Sequence, residues 1–308
     1  MKVTIPRRFR ERYNRMVDDR KRFYEYLEKP LPKAFRVNTL KAKTKNIIDR
    51  IQQHGITIKK VPWYKDAFVT DEAKIGSTLE HFMGHIYIQE LVSMLPPILI
   101  KKEIENTSKV FDACASPGSK TTQLSAFMEN KGLIVANDVK FERIKILKHN
   151  IEKLGCMNVA VTNKDARFIK FGFLFDFVIL DAPCSSEGTI RKNWNILTRW
   201  SERNIHSLSR IQKQLIINCF DMMKPGGILV YSTCTFAPEE NEEVIQCLIE
   251  KRNCRLERIK IKGLKTSPAI ENWRGIKFND EIQKTVRIWP HHNNTGGFFL
   301  AKIRKVEQ

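Results

Sequence analysis

The seven cysteines of this 308-residue chain form no C-x-x-C pair, and no Cys/His grouping has the spacing of a zinc site. Their odd number and irregular intervals argue against a disulfide framework, so a reducing, cytoplasmic setting without a metal is expected. No apolar run approaches the ~18 residues of a membrane span; the longest lies around Leu91–Ile100. The opening "MKVTIPRRFRERY" lacks the apolar centre of a secretory signal. Glycine is scarce where a phosphate or dinucleotide cradle would need it. Acidic residues are few as well: 34 Asp/Glu face 54 Lys/Arg, a formal charge of +20 with an isoelectric point near 9.7.

The basic excess is uneven. Residues 1–50 hold 16 Lys/Arg against 6 Asp/Glu, half the surplus in a sixth of the chain. Such a field favours a polyanion, RNA or DNA first; a solvated Lys-rich surface is the alternative source. Hydrophobic content of 42% is ample for a folded core.

Two regions differ in rhythm, with a boundary near Asn106. Residues 1–106 read as a small basic α/β unit. A helix is expected over 7–28, its Phe9/Tyr13/Met16/Phe23/Tyr26/Leu27 stripe more suited to a core than to an RNA platform. A strand follows in "AFRVNTLK", then a helix closed by Gly55, a strand in "ITIKKVPWY", and a helix from Ser77 to the Pro96-Pro97 break. In residues 107–308, apolar segments alternate with helix-length ones: "KVFDAC", "LIVAND", "NVAVTN", "FDFVILDA" and "GILVYST". Continuous apolar strands separated by helices predict a Rossmann-like, doubly wound parallel sheet, which binds ligands at its carboxyl edge.

That edge should carry the chemistry. "DACASPGSKTT" is not a P-loop: Ser119 precedes Lys120, and Cys114 stands where the first glycine belongs. With Gly118 as its only glycine it is no dinucleotide fingerprint either. A strand, a tight small-residue loop and a second strand ending in an acid instead suit an adenosine moiety without phosphates. Asp138 can accept from two ribose hydroxyls and Asp165 from an adenine amino group, although each alone could be a helix cap. S-adenosylmethionine meets this description, and its sulfonium favours nearby carboxylates.

Two thiols should meet there as well. Cys184 follows the fourth strand of this sheet in "VILDAPCSSEGTIRKN", and Cys234 follows the fifth in "GGILVYSTCTFAPEENEEV". Carbon-5 of cytosine accepts a methyl group only after a thiolate adds to carbon-6. Lys120, or a protonated Asp181, could stabilise the charge that develops on the ring. Cys156, Cys219, Cys247 and Cys254 read as small buried apolar residues, and Cys114 as lining the cofactor loop. "DAPCSS" lacks the Asp/Asn-Pro-Pro-aromatic loop usual in exocyclic-amine methyltransferases, which points to carbon methylation.

The segments "DACASPGSKT", "DAPCSSEGTIRKN" and "YSTCTFAPEENEEV" closely resemble the three signature motifs of the Nop/Sun family of RNA cytosine-5 methyltransferases. "FRVNTLK", "GHIYIQELVSMLPP" and "RIWPHHNNTGGFF" extend the resemblance over nearly the whole chain. By position, it implies that Cys234 is the nucleophile and that Cys184 assists product release; on "DAPC" alone, as in DNA cytosine methyltransferases, Cys184 would attack. It also implies cofactor contacts from Cys114, Ala115, Ser116, Pro117, Gly118, Ser119, Lys120, Asp138, Arg143, Asp165 and Asp181, and RNA contacts from Arg36, Asn38, Arg191 and Lys192. Two departures stand out: Ser119 replaces the usual second glycine of the loop, and Trp194 replaces a proline in the RNA-facing loop.

The expected protein is a cytoplasmic S-adenosylmethionine-dependent methyltransferase forming 5-methylcytosine in RNA, with tRNA preferred because short members resemble archaeal tRNA enzymes. Ribosomal RNA is the alternative substrate. A catalytically silent RNA-binding or assembly factor and a DNA methyltransferase are the rival readings.

Overall fold

The computed structural model describes residues 4–306. Its first sheet is antiparallel, in the order β2-β3-β1-β4, from β1 (Lys33–Val37), β2 (Ile58–Val61), β3 (Tyr64–Thr70) and β4 (Ile86–Ile88). Helix α3 (Thr44–Gln53) covers one face, with Ile47 and Ile51 against Phe35, Phe68 and Ile86. The chain before this sheet departs from the single helix expected. It forms α1 (Arg7–Tyr13) and α2 (Arg20–Glu28), broken at Asn14–Asp19, where the Asp19 side chain caps α2 by accepting from Arg22 N–H. Their stripe is core, as the pattern implied. Phe9, Tyr13, Phe23 and Leu27 pack onto Ile190, Phe236 and Trp289 rather than onto the small sheet.

The helix expected from Ser77 to Pro96 is likewise subdivided into α4 (Leu79–Phe82), strand β4 and α5 (Leu95–Ile100). Pro96 and Pro97 sit in the first turn of α5, where a missing N–H costs nothing, so they start a helix instead of ending one.

The second sheet has nine strands: β5 (Lys109–Asp112), β6 (Leu133–Asn137), β7 (Val159–Thr162), β8 (Phe175–Asp181), β9 (Met223–Thr233), β10 (Cys254–Glu257), β11 (Ser267–Pro268), β14 (Val286–Ile288) and β15 (Phe298–Lys305). A separate two-stranded ribbon joins β12 (Asn272–Trp273) to β13 (Ile276–Lys277). The parallel core runs β7-β6-β5-β8-β9, and β15 closes on β9 antiparallel.

Alternate residues of each strand feed opposite faces. Val110, Ile134, Phe177 and Ile179 meet Leu95 and Ile100 of α5 and Leu124 of α6 (Ser119–Phe127). Phe111, Val135, Val178 and Leu180 meet Leu215 and Phe220 of α9 (Glu202–Asp221) and Leu248 of α10 (Glu242–Lys251). Helix α7 (Phe141–Leu154) covers β6, while the single-turn helices α8 (Asn195–Thr198) and α11 (Pro290–Asn293) lie in loops. Strand order reverses between β5 and β8, so the ligand crevice is expected at their carboxyl ends.

Candidate active site

The loop after β5 enters that crevice. Gly118 has φ +103° and a built Cβ would lie 3.0 Å from Leu147 Cδ1, so this turn requires glycine. Ser119 opens α6, and Lys120, one residue on, is 5% exposed. The Lys120 ammonium donates to Asp181 Oδ2 at 2.6 Å and to Ser93 Oγ at 3.0 Å, while Ser232 Oγ donates to Asp181 Oδ1 at 2.7 Å. Asp181 therefore acts as an acceptor here, with Lys120 as its cationic donor. Three strand ends, those of β5, β8 and β9, are joined by this cluster.

The loop is braced from outside. Ser116 Oγ donates to the carbonyl of Arg143 on α7 at 2.8 Å, the Arg143 guanidinium donates back to the Ser116 carbonyl, and Asn150 Nδ2 reaches Pro117 O at 2.8 Å. Arg143 Nη1 also lies 3.3 Å from Asp138 Oδ2. Asp138 is buried at the end of β6. Its Oδ1 accepts from Lys140 N–H, but Oδ2 is buried without a hydrogen bond. A buried carboxylate oxygen that accepts no hydrogen bond, though Arg143 faces it, is suited to the hydroxyls of a ribose, and buried Ala115 leaves the loop floor apolar. Asp165 differs: Arg167 grips both of its oxygens at 2.6–3.1 Å and holds the carboxyl below its usual range.

Asp112, at the tip of β5, accepts from Thr121 Oγ1 at 2.6 Å, and burial pushes its carboxyl up to about 6. Burial likewise raises the half-buried Cys114 thiol. Cys156 and Cys219 are buried as expected, whereas Cys247 and Cys254 are only partly so.

Cys184 and Cys234 converge. Because β8 and β9 are parallel neighbours with Asp181 opposite Ser232, the loops that follow them run side by side and place the two sulfurs 3.4 Å apart. The Cys184 thiol is held well above the usual thiol range, first by its hydrogen bond with Cys234 and then by burial. Either sulfur can donate to the other across this contact.

Beneath the thiols lies a set of buried acids that the sequence reading left unassigned, although Glu187 and Glu240 stand inside the quoted motifs. Glu240 accepts from Ser185 N–H at 2.9 Å and Gln212 Nε2 at 2.8 Å. Glu187 accepts from Tyr13 O–H, Trp200 Nε1, Thr235 Oγ1 and Phe236 N–H at 2.5–3.0 Å. Two other buried acids are paired with arginines, Glu239 with Arg12 and Glu242 with Arg287.

Of the four residues expected to touch RNA, three are buried and require correction. Arg36 is fully buried and donates to Gln89 Oε1 at 2.9 Å, Thr122 Oγ1 at 2.7 Å and the Ser119 carbonyl at 3.2 Å. Asn38 is buried and donates to the carbonyls of Gly84 and Leu154. Arg191 is buried and gathers the carbonyls of Lys29, Pro30 and Thr295 together with Asn294 Oδ1. Each ties segments together with its donors turned to acceptors of the protein itself; burial draws both guanidinium pKa values down. Lys192 is exposed. Trp194 is about one-third exposed, with its Nε1 donating to Leu27 O.

Away from the thiols, His291 and His292 direct their Nε2 atoms at the two oxygens of Asp18, each at 2.8 Å. Both Nδ1 atoms are buried without partners. An imidazole ligating a metal through Nε2 would need an acceptor for its Nδ1 proton, so the cluster is better read as two rings hydrogen-bonded to one carboxylate.

Comparison with known proteins agrees with this geometry. Residues 98–304 match the family model described as 16S rRNA methyltransferase RsmB/F, and residues 5–91 match the N-terminal domain of 16S rRNA methyltransferase RsmF. The chain is 42% identical over 305 residues to tRNA (cytosine(49)-C(5))-methyltransferase of Pyrococcus abyssi, covering 98% of this chain and 96% of that protein. It is 39% identical over 292 residues to ribosomal RNA small subunit methyltransferase F of Shewanella loihica, covering 92% of this chain but 58% of that longer protein. A methyltransferase homologue from Pyrococcus horikoshii superposes with a TM-score of 0.88 at 37% identity, covering 99% of this chain and 96% of the other. NSun6 from Pyrococcus horikoshii, solved with SFG, shares the fold at a TM-score of 0.86 and 24% identity, covering 99% of this chain and all of the other. With family models matched over both parts of the chain and a relative of 42% identity along almost its full length, this protein belongs to the Nop/Sun family of S-adenosylmethionine-dependent RNA cytosine-5 methyltransferases.

Proposed function

We propose that the protein forms 5-methylcytosine in tRNA, with Cys234 as the nucleophile and Cys184 as the group that helps it leave. The observation that carries the mechanism is the 3.4 Å approach of the two sulfurs at adjacent strand ends. Cys234 as thiolate adds to carbon-6 of the target cytosine, and electron density moves to carbon-5. S-adenosylmethionine, when bound, supplies the electrophilic methyl that carbon-5 takes up. The cluster after β5, with Asp138 and Asp181, would hold this cofactor, and Lys120 would offer its charge to the activated ring. A base then removes the carbon-5 proton, the carbon–sulfur bond breaks, and the Cys184 S–H donates to the departing sulfur. This protonated thiol is what its environment favours.

The tRNA preference rests on identity: 42% over 305 residues to the relative named for tRNA, against 39% over 292 residues to the one named for ribosomal RNA. Seven unpaired cysteines accord with action in the reducing cytoplasm. The test is methyl transfer from labelled S-adenosylmethionine into unmodified tRNA and, separately, small-subunit rRNA, with nucleoside analysis. We expect 5-methylcytosine in tRNA, none from Cys234→Ala, and an RNA–protein adduct that survives denaturing electrophoresis from Cys184→Ala. Methylation by Cys234→Ala would refute the assignment of the nucleophile, and product only in rRNA would refute the substrate.

A further inference from the structure

Ser185 and Thr235, the residues directly after Cys184 and Cys234, are bridged by the Glu240 carboxyl. Ser185 Oγ makes a short hydrogen bond with Glu240 Oε1 and lies 2.7 Å from Thr235 Oγ1. Thr235 Oγ1 lies 2.8 Å from Glu187 Oε2 and 3.3 Å from Glu240 Oε1. The oxygens thus run Glu240, Ser185, Thr235, Glu187, and they cross from one cysteine loop to the other.

Three short O···O contacts require three protons, and two hydroxyls supply only two. If both carboxyls were ionised, Ser185 would donate to Glu240 and Thr235 to Glu187, leaving the 2.7 Å Ser185–Thr235 contact without a proton. One additional proton fills every gap in a single direction: Glu240 donates to Ser185, Ser185 to Thr235, and Thr235 to ionised Glu187. The other oxygen of Glu240, Oε2, still accepts from Ser185 N–H and Gln212 Nε2.

Glu240 is the better site for that proton. Glu187 already accepts from Tyr13 O–H, Trp200 Nε1 and Phe236 N–H, donors that suit a carboxylate. Among the described residues, no cation lies within ion-pair distance of Glu240, while Glu187 faces it from the loop after β8, Tyr231 from β9, Gln212 from α9, and Cys184 from above. Burial, reinforced by the Glu187 charge, pushes the Glu240 carboxyl up to about 7.

We propose that Glu240 is a positioning residue, holding a proton that completes a one-directional hydrogen-bond chain to Glu187 and thereby fixes the spacing of Cys184 and Cys234. It acts through Ser185 and Thr235, not on the substrate. The role rests on the two-thiol reading above.

The test compares wild type with Glu240→Gln, Glu240→Ala and Thr235→Val in the full chain. Glutamine reproduces the protonated carboxyl, since its amide N–H donates to Ser185 and its oxygen keeps both acceptor duties. The first readout needs no RNA: the rate at which diamide oxidises Cys184 and Cys234 to a disulfide, followed by peptide mass. The second is kcat for methyl transfer across pH 6–9, with S-adenosylmethionine affinity from calorimetry as the folding control.

We expect Glu240→Gln to match wild type within about threefold in both rates, whereas Glu240→Ala and Thr235→Val lose about 10–100-fold with cofactor affinity unchanged. Wild-type kcat should fall on the alkaline side as Glu240 ionises, and Glu240→Gln should lack that fall. Unchanged cross-linking in Glu240→Ala would overturn the proposal, as would a Glu240→Gln protein as impaired as the alanine variant. If wild type methylates no RNA, the two-thiol reading fails by itself, and the cross-linking rates still decide the positioning role.

Discussion

Burial gives Glu240 and Asp112 a measurable signature. Their carboxyls are raised to about 7 and about 6, while the unfolded chain titrates near its ordinary values, so between the two the folded state holds more protons. Stability therefore falls as pH rises through this window, from roughly 4 to 7, and levels off above it. Glu187, Tyr231 and Cys184 face Glu240 and add no positive charge to offset this. Replacing Glu240 by glutamine should raise Tm by about 2–4 °C at pH 7.5 and change it little at pH 5. Calorimetric scans at the two pH values check this; a Tm gain of equal size at both would show that charge is not the cause. The cysteines behave differently: their placement was legible in the sequence because Cys234 directly follows β9 and Cys184 stands just beyond Asp181 at the end of β8, and strand ends have few ways to point.

At the scale of elements, two junctions hold the site together. Arg36 crosses from β1 to the start of α6, tying the small sheet to the helix that carries Lys120. Arg36→Met should destabilise the protein by about 2–3 kcal/mol, because three acceptors lose their donor, while RNA affinity of the folded fraction stays unchanged. Denaturant unfolding with parallel RNA titration separates the two effects, and a loss of affinity without a loss of stability would restore the RNA-contact role. The second junction joins the Cys184 loop to the final hairpin. Gly188 N donates to Cys234 O, Gly297 N donates to Gly188 O, and a Cβ on Gly188 would fall 2.1 Å from the Gly297 carbonyl. Gly188→Ala should therefore cost about 2–3 kcal/mol and slow methyl transfer, both measurable on one preparation.

For the whole molecule, the charge of +20 governs encounter with RNA. Arg12 and Arg36 are withdrawn into the interior, but Arg7, Arg8, Arg10, Arg15, Arg20 and Lys21 remain exposed near the N-terminus. RNA affinity should fall by about 10²-fold or more between 50 and 200 mM salt, through release of counterions, with S-adenosylmethionine affinity far less affected. Filter binding at graded salt tests this, and a flat response would mean that the surplus is not directed at a polyanion. The packing of α1 and α2 against Phe236 and Trp289 also makes the N-terminus part of the support behind Cys234, since Tyr13 reaches Glu187 from there.

The sequence by itself determined the parallel sheet, the strand ends carrying Cys184 and Cys234, the glycine at 118 and the acid at 138, because these follow from local rules of apolar runs, turns and strand termini. It identified two elements too long, 7–28 and 77–95, since hydrophobic periodicity does not register a capping aspartate or a short strand inserted between turns. It also misread Arg36, Asn38 and Arg191. Side-chain chemistry marks an arginine as able to bind phosphate, but only tertiary packing decides whether its donors meet solvent or backbone carbonyls from distant segments. The same holds for Glu187 and Glu240: each is an ordinary acid in its motif, and only the side-by-side course of the loops after β8 and β9 removes them from water, aligns Ser185 with Thr235 and places them beneath the thiols.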